Sequence, residues 1–299
     1  MRSGINMLSK ISNRSQAEIS MLVVAFIWGT TFVMTKNALA DIGPFLFLGI
    51  RFITAFILLA LLSGKNILQI TPSVLRNGIL IGFFLFVGYT FQTVGLQYTS
   101  SSNAGFITGL SVVLVPIIYS IINRRLLGWS IIFTVLLAAA GLYLMSVQPG
   151  TFHLGRGDLL VLVCALGFAL HIISVDRYSH LHNPVAITAV QILFVGVVCL
   201  FIGLVFEPIP HSFPASVTGA ILVTAVFATT MAFLLQNAMQ KYSTPTRFAI
   251  ILTMEPVFAG MAGYLWGGDI LTLRIIAGMA LILAAMLLSI LGKKTEIGK

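Results

Sequence analysis

Glu255 is the only acid set deep inside an apolar run of this 299-residue chain. It lies about ten residues into the run 245–266, so at about 1.5 Å of helical rise per residue it reaches roughly the middle of a bilayer. A carboxylate at that depth costs about 2.5–3.5 kcal/mol, so it should face a cavity or a polar partner rather than lipid. Two roles fit: contact with a solute, with a proton exchanged, or a structural hydrogen bond to a neighbouring helix. Pro256 follows it, frees a carbonyl one turn back and bends the helix. Gln92 and Gln236 each sit near the end of an apolar run, where an amide needs a partner on another helix or on a solute. Tyr89, one turn before Gln92, can share its face and add a ring wall. Trp28, Thr31 and Thr35 fall on one helical stripe, and a Trp in the middle of a run is unlike the usual interfacial belt. His171 suits either a proton relay or a hydrogen-bonded core position. Lys36 and Arg51 lie about 7–10 Å below one membrane surface, and outward snorkelling is the expected fate of both. Turned inward, they would create a positive field which, together with Glu255, would suit a zwitterion such as an amino acid.

Residues of this kind need apolar helices to hold them, and the composition supplies little else. Hydrophobic residues make up 58% of the chain, charged residues 8%, and mean hydropathy is +1.04. A soluble chain carries about 25% charged residues, so lipid is the solvent implied. Runs of spanning length lie at 19–39, 44–63, 75–97, 103–122 and 127–147, then at 157–175, 184–206, 217–239, 245–266 and 271–291. The expectation is an all-α integral membrane protein of ten transmembrane helices. Continuous rather than alternating apolar runs exclude a β-barrel. With the N-terminus cytoplasmic, the inner segments collect thirteen basic residues, among them Arg14, Lys65, Arg76, Arg177, Lys241 and Arg247, whereas the outer ones hold only Arg156 and Arg274. Both termini are therefore expected to be cytoplasmic. The net charge of +9 reads as this topology signal rather than as a nucleic-acid surface. Cys164 and Cys199 sit in apolar runs and imply neither disulfide nor metal site, and no cofactor is expected. No phosphate-binding loop, zinc-protease motif or serine elbow is present, so an enzyme is not expected.

The chain also repeats itself. A shift of 140 residues lays Trp28-Gly29 on Phe168-Ala169, Thr31 on His171, Pro44 on Pro184 and Arg51 on Gln191. A shift of 144 lays Gln92 and Tyr98 on Gln236 and Tyr242, and Ser111 on Glu255. Two halves, 1–147 and 148–299, of five spans each must lie in opposite orientations, because an odd count inverts the second. Inverted repeats are a feature of secondary transporters. The small residues Gly105 and Gly109, and Gly263 and Gly267, are spaced as close-packing faces. They suggest either a fourth-to-ninth helix contact or a dimer face, so a monomer and a homodimer both stay open.

Over nearly its whole length the chain resembles the EamA-type transporters of the drug/metabolite transporter superfamily. The resemblance rests on Trp28-Gly29-Thr30-Thr31-Phe32 with Lys36, on Arg51-Phe52, and on Tyr98-Thr99-Ser100 through Thr108-Gly109-Leu110. It continues in Tyr242-Ser243-Thr244-Pro245 through Met254-Glu255-Pro256-Val257-Phe258. Gly268-Asp269 stands where the family often has Gly-Glu. The resemblance implies ten helices in two inverted five-helix repeats, and an address in the bacterial cell (inner) membrane. It also implies secondary transport of an amino acid, a related metabolite or a drug-like solute by alternating access, with export the expected direction. A lone mid-membrane acid permits proton coupling through Glu255. A passive channel or facilitator for small polar solutes is the alternative. The expected solute pathway comprises Trp28, Thr31, Tyr89, Gln92, Thr108, Ser111, His171, Gln236 and Glu255. A small solute and the lipid bilayer are the expected partners.

Overall fold

Proline and short polar side chains start many of the helices. Pro44, Pro72, Pro184 and Pro245 stand in first turns, where a missing N–H breaks no hydrogen bond. Thr71, Asn183 and Thr244 cap three of these helices, accepting from the N–H groups of Val74, Val185 and Arg247. The structure, a computed structural model, describes residues 13–99, 101–124, 126–147, 155–210, 212–266 and 270–291. Among the described residues all regular structure is helical, with no strand.

In chain order the helices are α1 (Asn13–Ala38), α2 (Pro44–Ser63), α3 (Pro72–Gly95), α4 (Ser101–Gly109), α5 (Ser111–Asn123), α6 (Trp129–Ser146) and α7 (Arg156–Tyr178). They continue as α8 (Pro184–Phe206), α9 (Ala215–Val223), α10 (Ala232–Met239), α11 (Pro245–Leu252), α12 (Met254–Trp266) and α13 (Leu273–Leu291). A π-helical segment, Thr224–Met231, joins α9 to α10.

Nine helical stretches among the described residues are long and apolar enough to cross a membrane. Ala104–Asn123 counts as one across the turn at Leu110, and Ala215–Tyr242 as one through the π-segment. The expected span 245–266 differs: it is divided into α11 and α12 at Thr253. Pro256 is the cause, since it has no N–H for the Leu252 carbonyl and its ring crowds that group. Thr253 turns instead onto Ile250, whose carbonyl accepts its N–H at 3.2 Å and its hydroxyl at 2.6 Å.

Glycines allow several close helix approaches, two of them between helices that wall the centre of the bundle. A Cβ at Gly29 of α1 would lie 2.4 Å from the Glu255 carbonyl oxygen, and one at Gly167 of α7 would lie 2.7 Å from the Gly88 nitrogen of α3. Only Gly allows backbones to touch at these points. α1 thus packs on α12 and α7 on α3, while α2 packs on α8 and α6 on α13. The expected small-residue face behaves differently. α5 does touch α11, but Gly109 faces Leu142 of α6 and Gly105 faces open space. Gly267, Gly268 and Asp269 lie outside the described residues.

Polar ties hold the two ends of the bundle. At one end Arg14 donates to Glu18 (2.8 Å) and to the Ile290 carbonyl (2.7 Å), and Arg247 stands 3.6 Å from Glu18. α1, α11 and α13 meet there. At the other end the Glu207 carboxylate accepts from the N–H groups of Phe45 (2.9 Å) and Leu46 (2.8 Å), an anion on a helix N-terminus. Asp158 there accepts the Thr99 hydroxyl at 2.6 Å. Between the ends the outer surface is a coat of exposed large apolar side chains, including Leu61, Leu62, Phe201, Phe206 and Leu265. Water would penalise so large a patch; lipid does not.

Candidate functional site

The helices enclose a cavity of about 450 Å³ in the middle of the bundle. Its wall carries Trp28 and Thr31 from α1, Tyr89 and Gln92 from α3, Thr108 from α4 and Ser111 from α5. His171 comes from α7, Gln236 from α10 and Glu255 from α12. All nine residues of the expected pathway are thus brought to one space. The lining reaches Thr35, Ser146 and Ile270 toward the end of the bundle where Glu207 caps α2. In the other direction it stops at His171, Ile172 and Ala249. Beyond that floor Met21 and Val24 of α1 and Phe248 of α11 are packed into the core, and Gln240 donates to the Ile172 carbonyl at 2.6 Å.

Two ionisable groups face the cavity from different helices. Glu255 is half-buried on the wall and makes no ion pair or hydrogen bond with any described residue. Arg51 of α2 is buried, only 3% exposed, and lines the same space. The snorkelling expected of Arg51 does not occur; Lys36, by contrast, is exposed. The guanidinium is drawn inward by acceptors that the π-segment supplies. Arg51 Nε donates to Thr229 Oγ1 at 2.8 Å, and its Nη2 reaches the Ala228 carbonyl at 3.3 Å and the Tyr89 hydroxyl at 3.4 Å. It also lies over the Tyr89 ring, 5.0 Å from its centroid, and 5.4 Å from that of Phe52. A π-turn leaves carbonyls out of α-helical register, and Ala228 accepts the Trp28 indole N–H as well, at 2.8 Å.

The neutral polar groups are partly satisfied within the protein. Thr31 and Thr35 donate to carbonyls one turn back, of Ile27 (2.8 Å) and Thr31 (3.2 Å). Gln92 donates to Thr108 at 3.2 Å, which links α3 to α4. Gln236 donates to Gln240 at 3.2 Å, and its own carbonyl oxygen is buried with no partner among the described residues. His171 Nε2 lies 3.3 Å from Gln191 Oε1.

A ring cluster forms the apolar part of the wall. Phe233 stands at its centre, with ring centroids 5.6 Å from Trp28, 6.2 Å from Tyr89, 5.8 Å from His171 and 6.3 Å from Phe52. Phe168 packs edge-on against Tyr89 at 5.3 Å.

Comparison with known proteins gives this arrangement a family. The model of the EamA-like transporter family matches residues 15–147 and again 155–291. An uncharacterized transporter of Archaeoglobus fulgidus is 37% identical over 276 residues, which span 92% of this chain and 86% of the relative. The chain belongs to the EamA-like transporter family. An S-adenosylmethionine/S-adenosylhomocysteine transporter of Chlamydia trachomatis is 26% identical over 82% of this chain and 80% of its own. A crystal structure 18% identical to the chain shares its fold with a TM-score of 0.77, covering 92% of this chain and 96% of the other. The protein is thus a multi-pass membrane transporter of the drug/metabolite superfamily rather than an enzyme.

In this EamA-like transporter one wall residue and several that hold the wall's side chains were not legible as such beforehand. Phe233 is one Phe among 22 in the sequence, and only packing makes it the hub. A usable signal existed, since the shift of 144 that pairs Gln92 with Gln236 also pairs Tyr89 with Phe233. Thr229 and the Ala228 carbonyl gave no comparable sign, because a π-turn leaves no residue pattern. Gln191 was visible only as the counterpart of Arg51.

Proposed function

We propose that this EamA-like transporter is a secondary carrier that moves a small polar metabolite across the cell membrane by alternating access, in the direction of export. One observation carries the reading: a cavity with a carboxylate and a guanidinium on its wall reaches toward one end of the bundle and is sealed at the other. A channel would need both ends open at once; a carrier needs one closed. The positive-inside pattern makes the sealed end, with Arg14 and Arg247, the cytoplasmic one. α11 and α12 together supply the tenth span, and both termini lie in the cytosol.

The two halves act as inverted repeats. Support comes from the wall: exchanging each residue for its counterpart turns the Trp28–Phe233 ring contact into Phe168–Tyr89, and the two distances are 5.6 and 5.3 Å. The α3–α7 packing likewise exchanges with the contact of α1 and α10. Such symmetry lets the halves swap roles and expose one site to either side. Glu255 sits where the symmetry is broken, opposite Ser111, and there it exchanges the coupling proton. The Chlamydia relative's named solutes carry amino and carboxyl groups, as the wall's two charges would suit.

Counterflow in proteoliposomes tests this. Saturable exchange of a preloaded metabolite is expected. Glu255→Gln should keep exchange and lose uptake driven by a pH gradient. Flux that rises linearly with concentration in the wild type would establish a channel instead.

A further inference from the structure

The guanidinium of Arg51 has no counter-charge among the described residues. Among the described residues the ion pairs join Glu18 to Arg14 and Arg247, near the sealed end. Its hydrogen-bond partners are a hydroxyl, a carbonyl and a phenol, all neutral. These fix the Nε and Nη2 sides of the group, while Nη1 has no hydrogen-bond partner among the described residues. Glu255, the only acid among the described residues of the cavity wall, makes no ion pair with it.

A buried charge without an opposite charge is costly to hold, because water no longer solvates it. The protein lowers that cost with the Tyr89 and Phe52 ring faces, but neither is an anion. Two acceptors from the π-segment, the Thr229 hydroxyl and the Ala228 carbonyl that Trp28 shares, hold the planar group in one pose. A group that merely filled space there would need no such fixing. Nη1 thus keeps two N–H groups that can donate to a carboxylate in charge-assisted hydrogen bonds.

We propose that Arg51 is the anion-docking group of the cavity, and that the carrier selects solutes bearing a carboxylate. The solute supplies the missing counter-charge from the cavity side. Its carboxylate lies against the α2 and π-segment wall beside the Tyr89 hydroxyl. The Tyr89, Phe168 and Phe233 rings take its apolar part, and Glu255 receives an ammonium where the solute has one. This assignment rests on the carrier reading above.

The probes are the proteinogenic L-amino acids, each beside its amide, which lacks the charge but keeps the shape. In wild-type counterflow we expect at least one amino acid to exchange saturably and its amide to be about thirty-fold weaker or worse, the effect of removing one partner of a buried charge pair. Arg51→Gln should raise the KM for that amino acid by a similar factor and bring acid and amide close to equal. A purely structural arginine would weaken both probes alike and leave their ratio unchanged. Thermal unfolding of the purified wild type with each probe gives a second reading that needs no variant: the amino acid should raise the midpoint and the amide should not. Equal exchange of acid and amide by the wild type overturns the assignment and leaves the carrier intact. The same acid-to-amide ratio in Arg51→Gln also overturns it. If no amino acid exchanges or protects, the assignment falls. The carrier reading falls with it only if neutral and cationic metabolites give no saturable exchange either.

Discussion

At the scale of single residues, the wall of the cavity divides into charges that await a partner and rings that already have several. Arg51 and Glu255 belong to the first group, and nothing described in the protein neutralises either. Phe233 belongs to the second, touching rings from α1, α2, α3 and α7 at once. Its truncation should therefore act on stability more than on selectivity. Phe233→Ala is expected to cost about 3–5 kcal/mol, the range for deleting a buried aromatic, seen as a lower unfolding midpoint in detergent. Tyr89→Phe loses only a hydrogen bond of 3.4 Å to Arg51, so its cost should stay at about 1 kcal/mol or less. Glu255 was legible because a charge in an apolar run stands out. Phe233 was not, since aromatic residues are common on every helix and only the fold chooses among them.

At the scale of elements, helix contacts decide where these groups stand. α1 touches α12 through Gly29, and this contact puts Trp28 and Thr31 beside the turn that carries Glu255. Gly29→Ala would push a methyl group to 2.4 Å from a backbone oxygen, which cannot rotate away. Overpacking of that kind costs about 1–3 kcal/mol, and the shift should reduce transport roughly tenfold through misplaced wall groups. Gly105→Ala is the control: a Cβ there meets nothing within 4 Å, so a stability change within about 0.5 kcal/mol is expected. Unfolding midpoints and exchange rates of the two variants would check the contrast. Both glycines look alike as sequence. The distinction comes from what the neighbouring helix presents. The π-segment that captures Arg51 packs against both α1 and α2, and no residue pattern marks that contact in advance.

At the scale of the whole molecule, one end is latched and the other is reached by the cavity. Glu18 bridges Arg14 and Arg247 at the latched end, so Glu18→Gln should shift the carrier toward opening there. A cysteine at Ala249, on the cavity floor, reports the shift through its reaction with a membrane-impermeant maleimide. On the orientation proposed above, the reagent added from the cytoplasmic side should label it slowly in the otherwise unaltered protein and several-fold faster once Glu18 is neutralised. A cysteine at Thr35, on the wall toward the other end, should react from outside and slow down in the same variant. Cys164 and Cys199 are buried, which keeps the background low.

What the residues alone determined is the solvent, the helices and the candidate chemistry. Lipid leaves so few options that an apolar run of spanning length must be a helix, and a carboxylate within one must face a cavity or a partner. Nearly every helix boundary follows from prolines, caps and run lengths for that reason. Residue pattern also singled out Glu255, Gln92 and Gln236, polar groups that lipid does not tolerate without a partner. The direction of Arg51 and the convergence of these helices on one cavity required the tertiary structure. A long cationic side chain near a membrane surface has two low-energy directions, outward to water or inward to acceptors. The one Arg51 takes depends on a carbonyl and a hydroxyl nearly 180 residues away in sequence, which only the packing of α2 against the π-segment brings within reach.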